Sequence, residues 1–134
     1  MLKIIQDKEK NIIAYVWKAD WSFDGLQFLT PDEEEFQLGV MKHEKGHHIR
    51  AHCHKNIKNK QVGTNEMIYI VEGKISVTLY AVNQKELETF VLNSGDLILA
   101  VGGGHSFDML EDTKMFEVKQ GPYKGVENDK VFLE

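Results

Sequence analysis

The sequence predicts an all-β protein, a single domain closed as a barrel or sandwich from about a dozen short strands. Two features predict it. Short segments rich in Val, Ile, Leu, Phe and Tyr recur along the chain, and clusters of Gly, Asn, Asp and Ser separate them. The length, 134 residues, suits one hydrophobic core and is too small for two.

The strands follow in order from these segments. The first two lie at 3–6 and 12–18, on the Ile-Ile pairs of each, and a third at 26–29. Thr30 and Pro31 suit the start of a helical turn over 31–34, the one stretch with helix signals. Strands follow at 36–43 and 48–54, divided by Gly46, and at 66–72 and 74–82, joined tightly by Glu72-Gly73. Asn93-Ser94-Gly95-Asp96 joins 86–92 to 96–101, and Glu111-Asp112 joins 105–110 to 113–119. Glycine at such points supplies positive φ without steric cost. A last strand lies at 130–132. Closure is how an all-β chain of this kind removes its edges.

Composition narrows the function classes. Hydrophobic residues make up 42% and charged residues 28%, as in a soluble globular chain. No apolar run approaches the roughly 20 residues of a membrane helix. The first residues carry no signal-peptide pattern. One cysteine, Cys53, allows no intrachain disulfide, in keeping with a reducing cytoplasm. The net charge of −5 offers no basic face for nucleic acid. Lys55, Lys58 and Lys60 form a local basic stretch that reads as a solvated loop.

Histidine is the unusual residue. Five of the six fall between 43 and 54: His43, His47, His48, His52 and His54; the sixth is His105. In a strand over 48–54, alternation puts His48, Arg50, His52 and His54 on one face, with Ile49, Ala51 and Cys53 on the other. Residues two apart on a strand sit about 6.5–7 Å apart, so the imidazoles of His52 and His54 can converge on one ion. His43, His47 and His48 are expected outside the site. Cys53, facing away, reads as a buried structural thiol.

The spacing around these residues resembles the cupin family. Gly46, His52, His54, Glu66 and Gly73 match its first motif, and Gly95, Gly102 and His105 its second. The resemblance covers about 36–119 and implies a double-stranded β-helix, the jelly-roll barrel. It also implies a metal held by His52, His54, Glu66 and His105. Three imidazoles and a carboxylate suit one divalent Fe, Mn, Ni, Co or Zn ion, with positions left open for a small-molecule ligand. Two departures stand out. Eleven residues separate His54 from Glu66, where the family has three or four, so the insertion must loop out. The family's turn proline is absent before His105, with Ala100 and Val101 in its place.

Other residues are candidates for contacts with that ligand. Arg50, the only arginine, shares the alternation of His52 and His54 and presents a fork suited to an anion. Lys119 lies on the strand 113–119, on one face with Glu117, and Tyr123 follows in Gln-Gly-Pro-Tyr-Lys-Gly near the barrel mouth. The segments FLTPDEEEFQLGVM, VGTNEMIYIVEGK and LEDTKMFEVKQGPYKGVENDKVF resemble small cupins associated with surface-polysaccharide biosynthesis. That resemblance implies a sugar or sugar derivative and an isomerase- or epimerase-like reaction. A Fe(II) dioxygenase and a non-catalytic sugar- or carboxylate-binding module fit the same donors. Strand edges on so small a barrel favour a homodimer.

Overall fold

The computed structural model describes residues 1–55 and 65–134. Nine residues of the long insertion, 56–64, which include Lys58 and Lys60, lie outside the described residues. Twelve strands form where the apolar segments fall. They are β1 (Leu2–Gln6), β2 (Ile12–Trp17), β3 (Gly25–Phe28), β4 (Phe36–His43), β5 (His48–His54) and β6 (Glu66–Glu72). They continue with β7 (Lys74–Tyr80), β8 (Glu86–Asn93), β9 (Leu97–Ala100), β10 (Gly104–Met109), β11 (Thr113–Gln120) and β12 (Lys130–Phe132). Among the described residues the one helix, α1, is a single turn at Val126–Asp129.

The helical turn expected over 31–34 is a non-helical turn, closed by Glu34 N–H donating to the Pro31 carbonyl at 3.2 Å. Glu34 instead accepts a hydrogen bond from the Tyr15 hydroxyl at 2.5 Å. This ties the two-stranded sheet of β1 and β2 to the barrel.

The ten remaining strands form two five-stranded sheets, ordered β12-β5-β10-β7-β8 and β3-β4-β11-β6-β9. The chain switches sheet at almost every connection: β4, β6, β9 and β11 in one, β5, β7, β10 and β12 in the other. That alternation is the double-stranded β-helix. Every strand pair is antiparallel. The tight β6–β7 link needs Gly73, whose φ is +100° and where a Cβ would stand 2.4 Å from the Asp112 carbonyl oxygen.

The core lies between the sheets. Alternation on β6 and β7 sends Ile68, Ile70, Ile75 and Val77 inward, and Phe107, Met109 and Met115 meet them from β10 and β11. Glu66 opens β6 on the same inward face, pairing with Lys119 on one side and Ala100 on the other. The insertion therefore leaves Glu66 in the position the motif requires. Among the described residues, no helix is long and apolar enough to cross a membrane.

Candidate metal centre

Two strands of one sheet bring three imidazoles together. His52 and His54 point inward from β5, and His105 on β10 is the direct cross-strand partner of His52. One ring nitrogen from each of His52, His54 and His105 lies within 4.8 Å of the others. Glu66 reaches them from the opposite sheet, its Oε2 3.1 Å from Nε2 of both His54 and His105. All four side chains are buried, at 3–4% exposure.

The hydrogen bonds leave the donor atoms facing one another. His52 Nδ1–H donates to the Arg50 carbonyl at 2.6 Å, which leaves the Nε2 lone pair for the interior. Nε2 of His54, Nε2 of His105 and Oε2 of Glu66 are buried without a hydrogen-bond partner. Buried polar atoms almost always find partners, so a cluster of orphans built from imidazole nitrogen and carboxylate oxygen fits a metal ion. No thiolate joins it: Cys53 is buried on the far face of β5, where burial raises its pKa.

Electrostatics sharpen the arrangement. Burial, followed by the nearby His105, pushes His52 down to about 3, so its imidazole is neutral, the form that binds a metal. Glu66 hydrogen-bonds a second buried carboxyl, Glu117 of β11. Burial favours the neutral form of both, and the pair divides the proton. Burial and the Glu66 charge raise Glu117 well above the usual range, while Glu117 and the nearby His105 and His54 rings hold Glu66 well below it. Gly39 on β4 makes room for Glu117, since a Cβ there would stand 2.9 Å from Glu117 Cγ and Oε1. Behind His54, Asp129 of α1 brings Oδ2 to 3.4 Å from Nδ1 and 3.3 Å from Lys119 Nζ.

A cavity of about 200 Å³ opens from this cluster. His52, Glu66, His105 and Glu117 form its polar end, and Leu26, Met41, Ile49, Ile68 and Phe107 its walls. His43, His47 and Lys130 complete the lining.

The structure redistributes several residues singled out in the sequence. Arg50 does not share the inward face of His52 and His54. Cross-strand pairing runs His105 to His52 and then Phe107 to Ile49, so three steps on β5 oppose two on β10. This bulge reverses the alternation and turns Ile49 inward and Arg50 outward. Arg50 instead donates to the Glu134 carbonyl and lies 4.1 Å over the Phe132 ring. Lys119 is buried, but its partner is Asp129 rather than Glu117, and its Nζ lies over the rings of Phe28 and Tyr123. Tyr123 stacks on Phe28 with centroids 6.4 Å apart. Neither Lys119 nor Tyr123 lines this cavity.

His48 lies outside the centre, as expected, with Nδ1 2.7 Å from Asp108 Oδ1. His43 and His47 do not lie apart from the site. The Gly46 turn folds the end of β4 against the start of β5 and stacks the two rings at the cavity, centroids 4.0 Å apart and planes 4° from parallel.

Burial, then the neighbouring His47, pushes His43 down to about 4. The unfolded chain takes up this proton near pH 6.5 and the folded chain only near pH 4, so stability falls as pH drops through that window. His43→Phe is expected to lose less stability than the wild type between pH 6.5 and 4, as urea unfolding at each pH would measure. An equal loss in both proteins would contradict this assignment.

No protein-family model matches the sequence, and no curated protein matches it. Solved structures do. A conserved protein of unknown function from Streptococcus pyogenes is 19% identical, with a TM-score of 0.58, covering 78% of this chain and 80% of that one. Oxalate decarboxylase from Bacillus subtilis, described with Mn(II) centres, is 21% identical with a TM-score of 0.63, over 83% of this chain. The match spans only 29% of the oxalate decarboxylase chain. The same enzyme at pH 4.6 gives a TM-score of 0.61 at 21% identity. Likeness at these identities concerns the fold, and with the sheet alternation it identifies the architecture of this chain as the cupin double-stranded β-helix.

Proposed function

We propose that the chain is a metal-binding cupin that takes a small molecule at one divalent transition metal, Fe, Mn, Ni, Co or Zn. His52, His54, Glu66 and His105 are its ligands. The observation that carries this reading is the set of buried, unpartnered donor atoms converging from β5, β6 and β10. A divalent ion there supplies Lewis acidity to a bound oxygen. The chain's own residues do the rest. Arg50 fixes the His52 tautomer through its backbone carbonyl. Asp129 stands behind His54, and Glu117, which burial and the Glu66 charge hold toward its neutral form, lines the cavity with Glu66.

A carbohydrate substrate, an isomerase- or epimerase-like reaction and a surface-polysaccharide setting rest on the sequence resemblance alone. A second buried carboxyl, Glu117, lining the cavity with Glu66 supports a proton-transfer reaction over a purely passive binding module. A cytoplasmic setting accords with the single buried thiol. A homodimer accords with edge strand β9, where Leu97 and Leu99 are exposed.

The test is metal analysis of protein purified without added metal, wild type against His52→Ala and His105→Ala, with circular dichroism to confirm folding. We expect about one equivalent in the wild type and loss of it in both folded variants. A folded variant that retains its metal would remove these residues as ligands.

A further inference from the structure

The wall between the centre and the two stacked histidines is apolar, which restricts what can lie there. We propose that the cavity selects a short organic acid with an apolar body. Its carboxylate meets the histidine-rich end, and its hydrocarbon part runs along Met41, Ile49, Ile68 and Phe107 toward His43 and His47. This rests on the metal-binding reading above and assigns that site a ligand class different from the carbohydrate of the sequence resemblance.

The layering follows from the strands. On β5, β6 and β10, each polar side chain at the base is succeeded along the cavity by an apolar one: Ile49 beyond His52, Ile68 beyond Glu66, Phe107 beyond His105. On β4, Met41 is followed by His43 two positions on, at about 6.5–7 Å along the strand. A ligand reaching from the centre to the histidine pair therefore crosses a hydrocarbon band. Hydroxyl groups in that band would lose water and find at most Glu117, cross-strand from Ile68, as a partner. Sugars carry hydroxyls on nearly every carbon, whereas an alkyl or aryl body carries none.

Charge selects the other end of the ligand. The divalent ion and the Lys130 ammonium outweigh Glu66 and Glu117 even with both carboxyls ionised, while the three imidazoles add nothing when neutral. A monoanion is the complement. Size sets the length. The cavity measures about 200 Å³, which suits an acid of few carbons.

The experiment is calorimetric titration of Mn(II)-loaded protein with propanoate, butanoate, pentanoate and hexanoate, with glucuronate and 1-pentanol as controls. Metal content is measured on the same samples. The association constant is expected to rise about fourfold per methylene and to level off once the body reaches the histidine pair. Glucuronate and 1-pentanol should bind at least about tenfold more weakly than pentanoate. Ile49→Thr should flatten the series at unchanged metal content. Constants that do not rise with chain length, glucuronate binding tighter than pentanoate, or pentanol matching pentanoate would each overturn the ligand class on metal-loaded protein and leave the metal centre standing. Protein that takes up none of Mn(II), Fe(II), Co(II), Ni(II) and Zn(II) would overturn both.

Discussion

Stripping the divalent metal with a chelator is expected to lower the melting temperature by about 10–20 °C at neutral pH. An ion present at 1,000 times its dissociation constant stabilises the state that binds it by about 4 kcal/mol. In a chain of this size each kcal/mol shifts the midpoint by roughly 3–5 °C. The structure gives a reason for a large effect. Without an ion, buried nitrogens of His54 and His105 and the Glu66 oxygen have no hydrogen-bond partner. The difference between loaded and stripped protein should shrink toward acid pH, because protons compete with the ion for imidazole nitrogen and carboxylate. Differential scanning calorimetry with and without chelator, from pH 5 to 8, checks both statements. Identical melting curves would mean that these donors hold no ion.

Phe107→Ala is expected to cost about 3–5 kcal/mol, a large share of the stability of a small domain. Phe107 is 3% exposed and packs in the central cluster between the sheets. Its ring also stands beside His105, centroids 4.9 Å apart, and forms part of the cavity wall. The loss should therefore appear in two measurements: a lower urea midpoint, and weaker metal affinity in protein that is still folded. A loss of stability with metal affinity untouched would show that His105 holds its position without this ring.

These two residues illustrate what a linear sequence conveys. His105 and Phe107 sit two apart on a strand that opens at the end of a glycine run, so their shared inward face follows from alternation. The same holds for Glu66 with Ile68, and for the twelve strands themselves, whose limits agree with the apolar segments to within a residue or two. Alternation fails where the backbone departs from a regular ladder. The bulge opposite Ser106 turns Arg50 out and Ile49 in, and nothing in His-Ile-Arg-Ala-His announces it. His43 and His47 join the cavity because of how the Gly46 turn folds, a tertiary fact.

Asp129 and Lys130 come from a segment far along the chain, brought to the centre by pairing of β12 with β5. Periodicity within one segment carries no information about such contacts. Alternation puts Glu117 on one face of β11 with Lys119, but its position beside Glu66 depends on the register between β11 and β6.

That distant pairing has a consequence for biosynthesis. The strand bearing His52 and His54 has β12 as one of its two neighbours, and Glu134 accepts from the Ala51 N–H across 83 positions of chain. While residues up to about 110 are emerging from the ribosome, β5 can already pair with β10, yet its other edge stays open and His54 lacks Asp129. The surroundings of the histidine cluster are thus completed only when β12 pairs with β5, after most of the barrel has been translated. A nascent chain stalled before 129 would present the histidines of β5 and β10 without Asp129 behind His54.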